Sequence, residues 1–296
     1  MLQRHARHRR GAPAYGALPG ARWSDAGRRA APRLARRSAR GVARVSVRLF
    51  ALTCGWLTGP AGGFLAGATG RLRVPVPAFL IDHPGGKVLF DSGLHPDAGR
   101  DPQTRLGPAA HVFEVELRDG EDVAARLAAL GVRPAEIRYL ITSHLHFDHT
   151  GGHASIPNAR VVVQRREWDA GHDADLMARN FYDARNYDTG HEVLAVDGEH
   201  DLFGDGRVVC LPTYGHTPGH QSLRVRLAGG DVILTADACY LRRTLEELHL
   251  PAIVHDPPAM LASLHRLRAL QQAGARIFYG HDPEFWATVP QAPGEV

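Results

Sequence analysis

An α/β fold, with two β-rich halves each flanked by helices, is what this 296-residue sequence predicts. Three observations carry the prediction. Apolar runs at 139–142, 208–211, 232–236 and 276–279 have the length of buried strands. Segments 121–130 and 257–272 carry apolar residues at helical spacing. Each apolar run leads into a loop bearing a histidine or an aspartate, so strand ends from across the chain can converge on one site.

The elements follow in order. Residues 71–82 and 87–90 read as a strand pair joined by the turn His83-Pro84-Gly85-Gly86, with Asp91-Ser92-Gly93 closing the second strand. Val123, Leu127 and Leu130 define a helix over 121–130, stopped by Gly131. A strand at 138–142 precedes the densest motif of the chain, and 160–164 is a further strand. A helix is expected over 166–179, and a loop over 180–200, which is rich in Asp, Asn, His and Tyr. Strands at 206–212, 221–227 and 231–236 form an antiparallel run with Gly229-Gly230 as a hairpin turn. The 257–272 helix places Met260, Leu261, Leu264, Leu267 and Leu270 on one face, which reads as core packing. The strand at 276–279 delivers His281.

The composition divides the chain. Residues 1–48 hold 13 arginines against one acid, Asp25, a local charge of +12, and with an overall charge of +4 the remainder carries −8. The Arg/Ala/Gly/Pro-rich leader, residues 1–45, is expected to be disordered, leaving 46–296 as the folded domain. The leader has no continuous apolar stretch before a small-residue cleavage site, which argues against a secretory signal, though its Arg-rich, acid-poor composition resembles an organelle transit peptide. Anion or nucleic-acid binding by a basic tail competes with a solvated, dispensable tail. No stretch reaches the roughly 18–20 apolar residues of a membrane span. Leu49 to Ala68 is apolar but interrupted by five glycines and Pro60, and fits a strand and loop beside the site. Cys54, Cys210 and Cys239 are few, odd in number and scattered, which argues against a disulfide framework and suits a cytoplasmic protein. Cys239 is read as a small buried side chain.

The motif His144-Leu145-His146-Phe147-Asp148-His149 sets three imidazoles and a carboxylate in six residues. These are donors that borderline ions such as zinc prefer. His144 and His146, two apart on an extended backbone, point the same way and can grip one ion. Asp148 and His149 follow in a turn marked by Thr150-Gly151-Gly152 and are placed to hold a second. His216 in Gly215-His216-Thr217-Pro218-Gly219-His220, Asp237 after 232–236 and His281 after 276–280 are the distant candidates. The further histidines His153, His172 and His191 are expected at the surface.

The pattern HLHFDHTGG at 144–152, GHTPGHQSL at 215–223, DACY at 237–240 and GHDPE at 280–284 resembles the metallo-β-lactamase superfamily, and within it the N-acyl-homoserine lactone lactonases. The resemblance runs from about Phe50 to about Trp286. It implies a four-layer αββα sandwich with the site along one edge of two sheets. It also implies two divalent ions, zinc foremost: one held by His144, His146 and His216, the other by Asp148, His149 and His281, with Asp237 bridging. Two ions sharing a water lower its pKa toward neutrality. The implied reaction is attack of that bridging hydroxide on a lactone carbonyl, with the Tyr240 hydroxyl donating to the oxyanion and Asp148 carrying the proton to the leaving alkoxide. Asp91 matches the family's carboxylate behind a metal-binding histidine, or is a simple loop carboxylate. Tyr240 has a competing reading as a core tyrosine bonded to backbone. Phe147, Trp56 and Leu57 are candidates to line an apolar groove for the acyl chain, or ordinary core.

Other hydrolases share such a frame. A glyoxalase II-like thioesterase needs basic residues for glutathione, and 283–296 has none. β-Lactam hydrolysis fits less well, since those enzymes lack the DACY run. Phosphodiester cleavage would use the basic leader for RNA, but the acidic body argues against nucleic acid. A purely structural metal role is disfavoured, because structural zinc sites are closed and usually Cys-rich. The expected partner is a small lactone, without a membrane, and a homodimer is compatible with the sequence.

Overall fold

The computed structural model describes residues 46–296, so the expectation for the 1–45 leader lies outside the described residues. Twelve strands are seen among the described residues: β1 (Arg48–Pro60), β2 (Arg71–His83), β3 (Gly86–Phe90), β4 (Glu114–Glu116), β5 (Ile137–Ile141), β6 (Arg160–Gln164), β7 (Val193–Val196), β8 (His200–Asp201), β9 (Val208–Pro212), β10 (Gln221–Leu227), β11 (Gly230–Leu234) and β12 (Arg276–Phe278). They form a seven-stranded sheet, β4-β1-β2-β3-β5-β6-β7, and a five-stranded sheet, β12-β11-β10-β9-β8.

The near-continuous apolar runs follow from burial on both faces of each sheet. Along β1, Leu49 and Ala51 join Phe79, Phe90, Val162, Cys210, Leu223, Val232 and Phe278 in a core between the sheets. The alternate residues Phe50, Leu52 and Cys54 pack on the outer side with Val123 and Leu127 of the helix Val123–Ala129. The outer face of the second sheet (Val209, Leu211, Ile233, Ile277) packs on Leu245, Leu264 and Leu267 from the helices Arg242–Glu247 and Pro257–Gln272. The result is the expected four-layer αββα sandwich.

The 257–272 helix has its expected bounds, capped by Asp256, whose side chain accepts from Ala259 N, with proline in its first turn. Its buried stripe is Met260, Ser263, Leu264 and Leu267, whereas Leu261 is 36% exposed and does not belong to it. The 166–179 helix is in fact two, Arg165–Ala170 and Ala174–Arg179, divided at Gly171, with Asp173 capping the second. The 180–200 segment is not simply a loop. It contains the helical turn Ala184–Tyr187, the strand β7 and the start of β8, and β7 exists because its backbone pairs in parallel with β6.

One edge of the sandwich gathers the strand ends that matter. β3, β5 and β6 run parallel, β9 and β11 both pair antiparallel with β10, and β12 runs parallel to β11. The loops leaving β3, β5, β9, β11 and β12 carry Asp91, the 144–149 motif, His216, Asp237 and His281 respectively.

Candidate metal centre

Backbone geometry presents each of these side chains. Thr142 N, just past β5, still bonds Val162 O of β6, and the chain then turns so that His146 opens the helical turn Phe147–Thr150. Asp91 leaves β3 at φ 58 and Ala236 follows β11 at φ 44, left-handed conformations that cost a non-glycine residue free energy and persist only where the surroundings enforce them. Gly280 is required after β12, because a Cβ there would lie 2.3 Å from Ala236 O. Gly280 N donates to Cys239 O and His281 N to Tyr240 O, which seats His281 beside Tyr240.

All seven predicted ligands come together, in two groups: His144, His146, His216 and Asp237, and Asp148, His149 and His281. All but His146 are buried. Asp237 divides its oxygens between the groups. Its Oδ2 lies 3.5 Å from His144 Nε2 and 3.3 Å from His216 Nε2, and its Oδ1 lies 3.2 Å from His149 Nε2 and 3.0 Å from His281 Nε2. Asp148 Oδ2 stands 3.6 Å from the Nε2 atoms of both His149 and His281.

The outward nitrogens fix the tautomers. His146 Nε2 donates to Asn180 O at 2.8 Å and His281 Nδ1 to Pro75 O at 2.8 Å, since a carbonyl can only accept. His149 Nδ1 donates to Asp91 Oδ2 at 2.8 Å. Ser143 Oγ donates to Asp91 Oδ2 and so accepts from His144 Nδ1 at 3.0 Å. In its neutral form each of these four rings therefore turns a lone pair inward, the arrangement of a metal-ligating histidine backed by an acceptor. His144 Nε2 and His146 Nδ1 face each other at 2.9 Å, and His216 Nε2 and His146 Nδ1 at 3.2 Å. Between His144 Nε2 and His146 Nδ1, whose tautomers are fixed, lone pair faces lone pair, which calls for a cation between them. His149 Nε2 and Asp237 Oδ1 are buried without a hydrogen bond. The donor set thus fits two divalent ions.

Burial pushes His144 well down, and burial together with neighbouring His216 brings His146 down to about 4, so both rings stay neutral and available as ligands. Burial also opposes a charge on His149, but Asp237, Asp148 and Asp91 outweigh it and hold that ring well above an ordinary imidazole. His281 is raised against burial by Asp237 in the same way. This half of the centre attracts positive charge.

Asp91 is no simple loop carboxylate, for it accepts from Ser143 N, Ser143 Oγ and His149 Nδ1. The Tyr240 hydroxyl lies 3.4 Å from His216 Nδ1, and burial with Asp237 and Asp148 nearby holds it well above an ordinary phenol, so it stays a donor. Leu57 and Phe147 share an apolar cluster with Phe64, Phe113 and Tyr240, whereas Trp56 faces the opposite side of β1 under the Arg73 guanidinium. Cys239 is buried, as expected of a packing residue.

Of the other histidines, His172 is exposed and His191 half-buried, but the surface expectation fails for His153. It is fully buried between Ser92 Oγ and Thr142 Oγ1, at 2.8 and 2.9 Å, which pin the motif's flanks. A further residue, given no role by sequence reasoning, is His220, whose Nε2 accepts from Asp237 N at 3.1 Å and whose Nδ1 meets Thr213 Oγ1. Its signal is the second histidine of GHTPGH. Among the described residues no helix is long and apolar enough to cross a membrane.

The profile of the metallo-beta-lactamase superfamily matches residues 71–281. The N-acyl homoserine lactonase AttM of Azorhizobium caulinodans is 37% identical over 229 residues, 75% of this chain and 87% of that protein. The N-acyl homoserine lactonase AiiA of Bacillus thuringiensis subsp. kurstaki is 31% identical over 72% of this chain and 83% of its own. A solved N-acyl homoserine lactone hydrolase, with the product N-hexanoyl-L-homoserine bound at its catalytic metal centre, superimposes with a TM-score of 0.76 at 27% identity. That superposition covers 84% of this chain and 98% of the other.

Proposed function

This chain belongs to the metallo-beta-lactamase superfamily, and from that premise we propose that it opens the lactone ring of N-acyl-homoserine lactones at a centre of two divalent ions. Zinc is the ion that suits a set of neutral imidazoles and carboxylates. The observation that carries the reading is Asp237, one oxygen on each of two ligand groups, with the protonated Tyr240 hydroxyl beside His216.

When bound, two divalent ions lower the pKa of a coordinated water and polarise an ester carbonyl. The side chains do the rest. His144, His146 and His216 hold one position, and Asp148, His149 and His281 the other, with Asp237 common to both. Tyr240 donates its hydroxyl proton as a hydrogen bond to the oxygen that gains charge when the carbonyl carbon becomes tetrahedral. A donor aimed in advance in this way is worth about 2.7–4 kcal/mol of barrier. Asp148, at 7% exposure in the turn after His146, takes a proton from the attacking water and passes it to the ring oxygen as the C–O bond breaks.

An acyl substituent is favoured over glutathione by what surrounds the centre. Phe64, Phe113, Phe147 and Leu57 pack beside Tyr240, and three of the exposed large apolar side chains, Val112, Phe181 and Ile253, lie on segments adjoining it. Phe181 follows Asn180, whose carbonyl holds His146, and Ile253 precedes His255, whose N–H donates to His216 O. The three cysteines are free and buried, which suits the reducing cytoplasm, and a homodimer belongs to the same reading.

The test is hydrolysis of N-acyl-homoserine lactones of short and long acyl chain by protein of known metal content, with a thioester and a phosphodiester alongside and His144→Ala as control. Metal-dependent ring opening well above the other two substrates is expected. Two bound metals with intact lactones and a cleaved thioester would sink the substrate assignment and leave the centre standing.

A further inference from the structure

We propose that Glu167 is a positioning residue that locks the two loops carrying the three-histidine group, 144–146 and 216–219, in one register. The proposal rests on the metal reading above but not on its substrate.

Glu167 lies in the helix Arg165–Ala170, outside both ligand groups, and its side chain is completely buried. Four donors fill its carboxylate. Oε1 accepts from Leu145 N at 3.1 Å and from the Tyr182 hydroxyl at 2.6 Å, and Oε2 accepts from Thr217 Oγ1 at 2.9 Å and Gly219 N at 2.8 Å. Leu145 sits between His144 and His146, and Thr217 is adjacent to His216. Tyr182 is two residues from Asn180, whose carbonyl orients His146. One carboxylate thus fastens every segment that aims a histidine of that group. None of its four bonds reaches Asp148, His149 or His281. The loop also rests directly on the helix, for a Cβ on Gly219 would lie 2.2 Å from Glu167 N.

Two of the four partners are backbone N–H groups, which can only donate. A glutamine at 167 keeps the shape but turns an NH2 toward one pair of donors. The hydroxyl of that pair can rotate and accept, but Leu145 N or Gly219 N is left facing another donor. Either choice releases one of the two loops, and the three histidines lose their common aim. Loss of groups that orient ligands typically lowers metal affinity by about 10–100-fold.

The experiment loads wild type, Glu167→Gln and Tyr182→Phe with zinc, equilibrates them against graded chelator, and counts ions retained per chain. Cobalt-loaded samples report ligand geometry through visible absorption. Glu167→Gln should release one of its two ions at roughly 10–100-fold lower free-chelator strength, with an altered cobalt spectrum, while the other ion follows the wild-type curve. Tyr182→Phe should shift the same ion by less. Release curves matching wild type, or an equal shift of both ions, would overturn the proposal. If Glu167→Gln does not fold, the Tyr182→Phe curve decides by the same criteria. A wild type that binds fewer than two ions would overturn the metal reading and this proposal with it. Lactone turnover bears on neither, so a failure of the substrate assignment stays distinguishable.

Discussion

Asp91→Asn is the substitution whose consequence can be followed atom by atom. Asparagine has nearly the same volume and tolerates the left-handed backbone at φ 58, so the turn after β3 is preserved. With its oxygen toward Ser143 N, the new NH2 replaces the oxygen that accepts from Ser143 Oγ and His149 Nδ1. The serine hydroxyl can rotate and accept. The imidazole, left with only the longer 3.3 Å contact to Ser143 Oγ, is driven to move its proton to Nε2, the atom that faces Asp237 Oδ1 at 3.2 Å and belongs to the second ligand group. The variant therefore exchanges a charge-assisted hydrogen bond, about 1.5–3 kcal/mol, for a proton on the ligating nitrogen. In metal affinity this corresponds to about 10–100-fold, or roughly 1.4–2.8 kcal/mol. Zinc retention against graded chelator measures it, and the ion held by Asp148, His149 and His281 should leave first, the reverse of the order expected for Glu167→Gln. An Asp91→Asn protein that keeps both ions at wild-type chelator strength would refute the tautomer argument.

Tyr240→Phe should lower kcat for lactone opening by about 100–1000-fold with zinc content unchanged, and an unaltered kcat would remove the hydroxyl from the reaction. Burial pushes His153 down to about 3, well under its unfolded value near 6.5. Its contribution to stability is thus complete above pH 6.5 and is lost as pH falls toward 3, by up to about 1.4 kcal/mol per pH unit. Urea unfolding of wild type and His153→Gln between pH 7 and 5 should give a shallower pH slope for the variant, and parallel curves would contradict the assignment.

Much of the local architecture was legible in the amino-acid sequence. Strand positions, the 257–272 helix and the β10–β11 hairpin are written in spacing and turn chemistry that act over a few residues, although the hairpin turns at Ala228-Gly229, one residue before the expected Gly229-Gly230. The candidate ligands that the fold brings together were legible for the same reason, since each follows the end of an apolar run. What those residues do to one another emerged only from the assembled fold. That Asp237 serves two groups, that His281 takes its tautomer from Pro75 O, 206 positions away, and that His220 supports Asp237 are contacts between distant strand ends. Glu167 and His153 look like surface residues in a polar stretch, yet they are buried because each is filled with hydrogen bonds from other segments. β7 is a strand only because β6 lies beside it. Periodicity records which face of an element is apolar. Partners that satisfy a buried polar atom are supplied by the fold, and no local pattern records them.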